Sequence, residues 1–272
     1  MPDKYAVVGN PVAHSKSPLI HAEFARETGE DVSYVAILAA HGEFETVVER
    51  FRAAGGHGMN VTLPFKHRAH ALAKSLSARA QHALAVNTLA FENGGIHGDN
   101  TDGVGLVRDI TVNLGHALRG ARILVMGAGG ASYGVCGPLL DEGPEELVVA
   151  NRTRATALAM CEHFRAVEGV AAILSGCGYD ELAGKRFDLV INATSASLAG
   201  EMPALPAGVF ASGALAYDML YGMSTPFLEY AEAQGAQRAD GLGMLVEQAA
   251  ESFMIWRGVR PETARVIAML RR

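Results

Sequence analysis

Between Ile123 and Leu140 the chain carries no charged residue, and this one stretch narrows the possible folds more than any other. Its length invites a membrane span, but five of its residues are glycine, and Pro138 and Ser132 interrupt it further. A buried strand, a glycine turn and a helix fit it better. Ile123-Leu124-Val125-Met126 runs directly into Gly127-Ala128-Gly129-Gly130-Ala131-Ser132, and a helical pattern follows. In that order Gly127 permits a tight turn, Gly129 lets the backbone approach a pyrophosphate, and the helix N-terminus attracts its charge. Ser132 takes the third glycine position of the usual fingerprint and is small enough for close helix–strand contact. A glycine cluster alone can be only a turn; its place between strand and helix points to dinucleotide binding.

The next strand ends at Ala150 and is followed by Asn151-Arg152-Thr153-Arg154. A carboxylate here would bind the ribose hydroxyls of an unphosphorylated cofactor. The chain instead offers an amide, a guanidinium and a hydroxyl, and Arg152 can make a charge-assisted contact with a 2′-phosphate. NADP is therefore expected rather than NAD; the plainer alternative is a solvated arginine at a helix start.

Short apolar runs alternate with helical patterns throughout, which predicts a largely parallel α/β protein. At 272 residues the chain is long enough for two domains, or one large one. Strands are expected at Tyr5–Gly9, Ser33–Leu38, Gly58–Thr62, Val86–Phe91 and Gly95–Gly98, the last two joined by a turn at Glu92-Asn93-Gly94-Gly95. Arg122–Met126, Leu147–Ala150, Phe187–Asn192 and Ala214–Asp218 are expected to form a Rossmann-like, doubly wound unit. The reading places a substrate domain at 1–102, a dinucleotide-binding domain at 103–238, and C-terminal helices at 239–272 that return to the first domain. With 29 acidic residues against 23 basic ones, the net charge of −6 argues against nucleic acid as a main partner. The three cysteines, Cys136, Cys161 and Cys177, read as buried thiols, and the absence of a targeting segment suggests the cytoplasm. His67 and His70 lack further ligand spacing, so no metal is expected.

Three further segments concentrate polar residues at strand ends. His14-Ser15-Lys16-Ser17-Pro18 carries two hydroxyls beside a helix start, with Ser17 a plausible cap. Asn60-Val61-Thr62-Leu63-Pro64-Phe65-Lys66 puts a lysine just past a strand's carboxyl end, in a chain with only five lysines against eighteen arginines. Asn87, and then Asp99-Asn100-Thr101-Asp102-Gly103, supply an amide and carboxylates, Asp102 being equally readable as a helix cap. A lysine and an aspartate brought together from separate loops would suit proton transfer at a hydroxyl or carbonyl oxygen.

Taken in order, these pieces resemble the shikimate dehydrogenase family over nearly the whole chain. The match continues through Asn192-Ala193-Thr194-Ser195, Tyr217-Asp218-Met219-Leu220-Tyr221 and Asp240-Gly241-Leu242-Gly243-Met244, with Gln248 following. The resemblance implies an enzyme of two domains that reduces 3-dehydroshikimate to shikimate with NADPH, on the route to the aromatic amino acids. It implies that Ser15 and Ser17 hold the substrate carboxylate, that Thr62, Asn87, Asp102 and Gln248 hold ring hydroxyls, and that Tyr221 lines the cleft. Lys66 and Asp102 would be the catalytic pair. Gly127, Ala128, Gly129, Gly130, Ala131, Asn151, Arg152, Thr153, Thr194, Ser195, Met219, Gly241 and Met244 would lie along the cofactor. A quinate/shikimate dehydrogenase is the nearest alternative, and a non-catalytic ligand sensor the more distant one; the presence of Lys66 and Asp102 speaks against the latter. The pattern departs from many relatives at Tyr133 and Thr156, where basic residues are usual, so the preference for NADP is expected to be reduced. The chain would act as a monomer or homodimer.

Overall fold

The computed structural model describes residues 1–92, 94–168, 173–196, 200–202 and 204–272. Asn93, expected in the hairpin turn, lies outside them. The chain divides into two units, Met1–Gly105 with Leu245–Arg272, and Leu106–Met244.

The first unit runs β1 (Asp3–Gly9), α1 (Ser17–Thr28), β2 (Val32–Leu38), α2 (Phe44–Ala53), β3 (Gly56–Val61), α3 (Lys66–Leu72), β4 (Ser75–Leu76), α4 (Ala78–Ala83), β5 (Thr88–Glu92) and β6 (Gly95–Asp99), and ends in α5 (Asp102–Arg108). Its sheet has the order β2-β1-β3-β5-β6-β4. β1 is parallel to β2 and β3, whereas β5 is antiparallel to both β3 and β6. That alternation brings the carboxyl ends of β1, β3 and β6 and the start of β5 to one end of the sheet. Ser17 opens α1 rather than capping it: Lys16 holds the cap position, and the Ser17 N–H donates to Ser15 Oγ at 3.3 Å. Pro18 fills the first turn, where its missing N–H goes unmissed.

The second unit contains β7 (Arg122–Met126), α6 (Gly130–Asp141), β8 (Glu146–Ala150), α7 (Arg154–Glu168), β9 (Leu174–Cys177), β10 (Phe187–Asn192), β11 (Phe210–Asp218), α8 (Pro226–Ala233) and β12 (Gln237–Asp240). Its six strands are all parallel, in the order β12-β11-β10-β7-β8-β9. Both faces are buried, because alternate residues feed separate cores: Ile123, Val125, Leu147 and Val149 on one side, Leu124, Met126, Val148 and Ala150 on the other. This is the doubly wound arrangement, with its switch point between β7 and β10. The pairing of β12 with β11 keeps residues 237–240 in this unit. The unit boundaries fall at 105/106 and 244/245, inside helices.

After β12 come α9 (Leu242–Arg257) and α10 (Ala264–Leu270). Val246, Ala249, Ala250, Phe253 and Val266 form one core with Ile20 and Phe24 of α1, so the C-terminal helices do return to the first unit. An ion network adds to this attachment. Arg79 donates to Asp99 (2.6 Å) and Glu251 (3.1 Å), and Arg260 donates to Glu251 (2.6 Å) and to the fully buried Glu247 (2.8 Å).

His21 on α1 is fully buried, stacked on Tyr34 with ring centroids 4.1 Å apart and also facing Phe253 and Trp256. Among the described residues neither ring nitrogen has a hydrogen-bond partner. Burial pushes its pKa from 6.5 down to about 3, with the Asn60 side chain acting in the opposite sense. The unfolded chain therefore takes up a proton from about pH 6.5 downward that the folded chain refuses until about pH 3. Stability attributable to His21 is complete above pH 6.5 and should fall, at up to about 1.4 kcal/mol per pH unit for one proton, as the pH drops through that window. Urea unfolding of wild type and His21→Phe at pH 7 and pH 5 checks this: the loss on acidification should be smaller in the variant. Equal losses would refute it.

Candidate active site

In the first unit, the gathered sheet end collects most of the predicted substrate residues. Lys66 begins α3 just beyond β3, and Asp102 begins α5 just beyond β6. The Lys66 ammonium donates to Asp102 Oδ2 at 2.6 Å, and both side chains remain partly open to solvent, 28% and 14% exposed. The other Asp102 oxygen accepts from Asn87 Nδ2 at 2.9 Å. Asp102 is not merely a cap: its own N–H donates to Asn100 Oδ1, and its carboxylate is committed to the lysine and the amide. Gln248, on α9, brings its Oε1 to 3.4 Å from Asn87 Nδ2. Four predicted residues, Lys66, Asn87, Asp102 and Gln248, thus form one bonded cluster.

Thr62 and the two serines stand at the same sheet end. Thr62 follows β3, and its methyl group occupies the space a side chain at Gly9 would need. Ser15 and Ser17 follow β1, linked through the Ser17 N–H. The half-buried Tyr221 lies beyond β11 in the second unit, its phenol pushed up by burial.

Beneath the cluster lies a buried polar layer that motif reading did not assign. The Tyr34 hydroxyl donates to Asn60 Oδ1 at 2.7 Å, and Asn60 Nδ2 donates to the Asn87 carbonyl, Thr88 Oγ1 and Ser252 Oγ at 3.3, 3.2 and 2.9 Å. A legible signal existed: asparagine and threonine within otherwise apolar strand sequence demand a buried partner.

In the second unit, the turn after β7 has the geometry its sequence called for. Gly127 has φ +98°, and a Cβ there would stand 3.0 Å from the Thr194 methyl and 3.3 Å from the Ala193 carbonyl. Ser132 is buried and donates to the Gly127 carbonyl at 2.8 Å. Gly129, Gly130 and Ala131 are exposed at the start of α6, where the first N–H groups of a helix lack intrahelical partners. Beyond β8, Arg152 and Thr153 are exposed, and Asn151 folds its amide onto the Thr153 carbonyl at 3.0 Å. Arg154 is engaged elsewhere, paired with Glu181 at 2.7 Å. Asn192 orders the adjoining loop by accepting from the Thr194 N–H and hydroxyl, and donates to Asp218, which accepts from the Leu220 N–H. Met219 and Gly241 follow the adjacent strands β11 and β12, with Ser195 exposed and Met244 buried. These features fit a dinucleotide: open helix amides for a pyrophosphate, and an exposed guanidinium and hydroxyl with no carboxylate in Asn151–Arg154 to repel a 2′-phosphate. Among the described residues no group of metal-ligating side chains is assembled.

Comparison with known proteins agrees with this anatomy. The family model for the shikimate dehydrogenase substrate binding domain matches residues 7–89, that for shikimate / quinate 5-dehydrogenase matches 110–199, and that for the shikimate 5′-dehydrogenase C-terminal domain matches 241–271. The chain is 59% identical to a shikimate dehydrogenase (NADP(+)) of Aromatoleum aromaticum, over 99% of this chain and 97% of that one. It is also 59% identical to the one of Nitrosospira multiformis, over 100% and 98%. Among solved structures, an Ael1 enzyme from Pseudomonas putida superposes with a TM-score of 0.92 at 51% identity, covering 98% of each chain. The Thermus thermophilus shikimate 5-dehydrogenase, in complex with NADP(H) and shikimate, gives 0.86 at 33% identity and 99% coverage of both.

Proposed function

Because the chain belongs to the shikimate dehydrogenase family and is an NADP-dependent oxidoreductase, we propose that Lys66 and Asp102 carry its proton transfer in the reversible reduction of 3-dehydroshikimate to shikimate. The observation that carries the assignment is the 2.6 Å ion pair between them, open to solvent and placed past the ends of two strands. In the reduction, Lys66 Nζ gives its proton to the oxygen at C3 as negative charge develops there; in the oxidation it takes the proton back. Asp102 fixes the direction of the ammonium through one oxygen and is itself fixed by Asn87 through the other. Ser15 and Ser17 would hold the substrate carboxylate, and Thr62, Asn87, Asp102 and Gln248 the ring hydroxyls. Gly127–Ala131, Asn151–Thr153, Thr194, Ser195, Met219, Gly241 and Met244 would hold NADP, which when bound supplies or accepts the hydride.

Initial rates with shikimate and quinate, each with NADP and NAD, test the reading. Shikimate with NADP should give the highest kcat/KM; an equal or higher value with quinate would displace it. Arg152 is the chief expected contact to the 2′-phosphate, Arg154 being tied to Glu181. Arg152→Ala should therefore lower kcat/KM with NADP by about ten- to a hundredfold, the size of one lost charge-assisted contact, and leave the NAD value nearly unchanged. Parallel losses with both cofactors would remove Arg152 from that role.

A further inference from the structure

Thr88 opens β5 and is fully buried, at a strand position where valine would have the same shape and a comparable or better preference for a strand. A hydroxyl in such a place costs stability unless it is bonded, and here its bonds have a direction that can be worked out. The Asn87 carbonyl can only accept, so the Asn60 atom 3.3 Å from it is the amide nitrogen. That nitrogen also donates to Thr88 Oγ1, at 3.2 Å. Thr88 Oγ1 also lies 2.8 Å from Ser252 Oγ, a pair in which either hydroxyl can donate; with Ser252 donating there, the single hydroxyl proton of Thr88 goes to Asn87 Oδ1, 2.9 Å away. The same Oδ1 receives the Thr101 N–H at 2.9 Å, a group that can only donate. With its oxygen engaged on both counts, the Asn87 amide must turn its NH2 toward Asp102 Oδ1. Were the amide reversed, two acceptors would oppose each other at 2.9 Å, and the Asp102 carboxylate would be driven off Lys66.

We propose that Thr88 is a positioning residue for the proton-transfer pair: its hydroxyl locks the Asn87 amide so that Asp102 is held against Lys66. The inference rests on the assignment of Lys66 and Asp102 above. Thr88 itself touches neither reacting group; it acts through Asn87.

The test compares Thr88→Val, which keeps the shape and loses the hydroxyl, with Thr88→Ser, which keeps the hydroxyl. Asp102→Asn serves as the control on the underlying assignment. Thr88→Val should lower kcat/KM for shikimate about tenfold, mainly through kcat, the scale of losing one hydrogen bond within a buried network. The KM for NADP should not change, and Thr88→Ser should stay within about twofold of wild type. A change of packing alone would not spare the serine variant, nor confine the loss to kcat. Should Thr88→Val fail to purify, Thr88→Ala gives the same comparison, with a small cavity in place of the methyl contacts. Wild-type kcat in Thr88→Val, or equal losses in the valine and serine variants, overturns the proposal. If Asp102→Asn itself turns over normally, the catalytic pair is misassigned and the proposal falls with it; if Asp102→Asn is impaired and Thr88→Val is not, only the role of Thr88 falls.

Discussion

Lys66→Ala should lower kcat for shikimate oxidation by about a hundred- to ten-thousandfold while the KM for shikimate changes little, the range typical of removing a positioned acid–base group. The argument is geometric. Lys66 stands at the first position of α3, where its side chain supports no core, and its ammonium is committed to Asp102 at 2.6 Å. Removing it costs the fold little, since a partly exposed ion pair contributes about 1 kcal/mol or less. It removes the lysine that would hand a proton to an oxygen at C3. Thermal unfolding measured beside the kinetics separates the two effects: the midpoint should stay close to wild type while turnover collapses. Turnover within a few-fold of wild type would eliminate Lys66 as the proton carrier.

Gly243→Ala should destabilise the protein by about 3 kcal/mol or more, and lower Tm by roughly 6–12 °C. Gly243 lies in the first turn of α9, and a Cβ there would collide with both carboxylate oxygens of Asp109. Asp109 cannot easily withdraw. It is buried, it accepts from the Tyr217 hydroxyl at 2.7 Å and from Asn113 Nδ2 at 2.9 Å, and it begins a π-helical turn, Asp109–Asn113. Burial, and then the Asp109 charge, hold the Tyr217 phenol well above its ordinary pKa, so it remains a donor throughout the working range. Since Gly241 and Met244 flank this position and are assigned to the cofactor, the KM for NADP should rise as well. An unfolding midpoint within about one degree of wild type would show that the carboxylate has room to move, against the steric argument.

The parts of this architecture that were legible in the sequence are those with a strong local cause. Ile123–Met126 is apolar because β7 is buried on both faces, and Gly127 is glycine because a positive φ and the nearness of Thr194 leave room for nothing else. The strands that escaped reading are β4, β9 and β12, all at sheet edges. Ser75-Leu76, Leu174-Ser-Gly-Cys177 and Gln237-Arg-Ala-Asp240 are short, small or polar, since an edge is covered less and is commonly guarded by such residues. At the site, Lys66 and Asp102 stand out by their places past strand ends, but their approach to each other depends on β5 pairing antiparallel with β3, which no local pattern encodes. Ser252 was invisible for a related reason. It is an ordinary residue of its helix until Asn60 of β3 meets it.

The division of the chain has a consequence for the order in which the protein can be made. Residues 106–244 are contiguous, so the second unit is complete as soon as it has left the ribosome. The first unit is not, although its strands are synthesised earlier. Ile20 and Phe24 lack their apolar cover until Phe253 and Val266 have been added, and Asn60 has no serine to bond until Ser252 follows. At about 5–20 residues per second, a nascent chain would hold that surface open for many seconds while the intervening unit is translated. The part of the protein assigned to the substrate is thus begun first and closed last, and this interval is where newly made chains would be most exposed to aggregation or in most need of a chaperone.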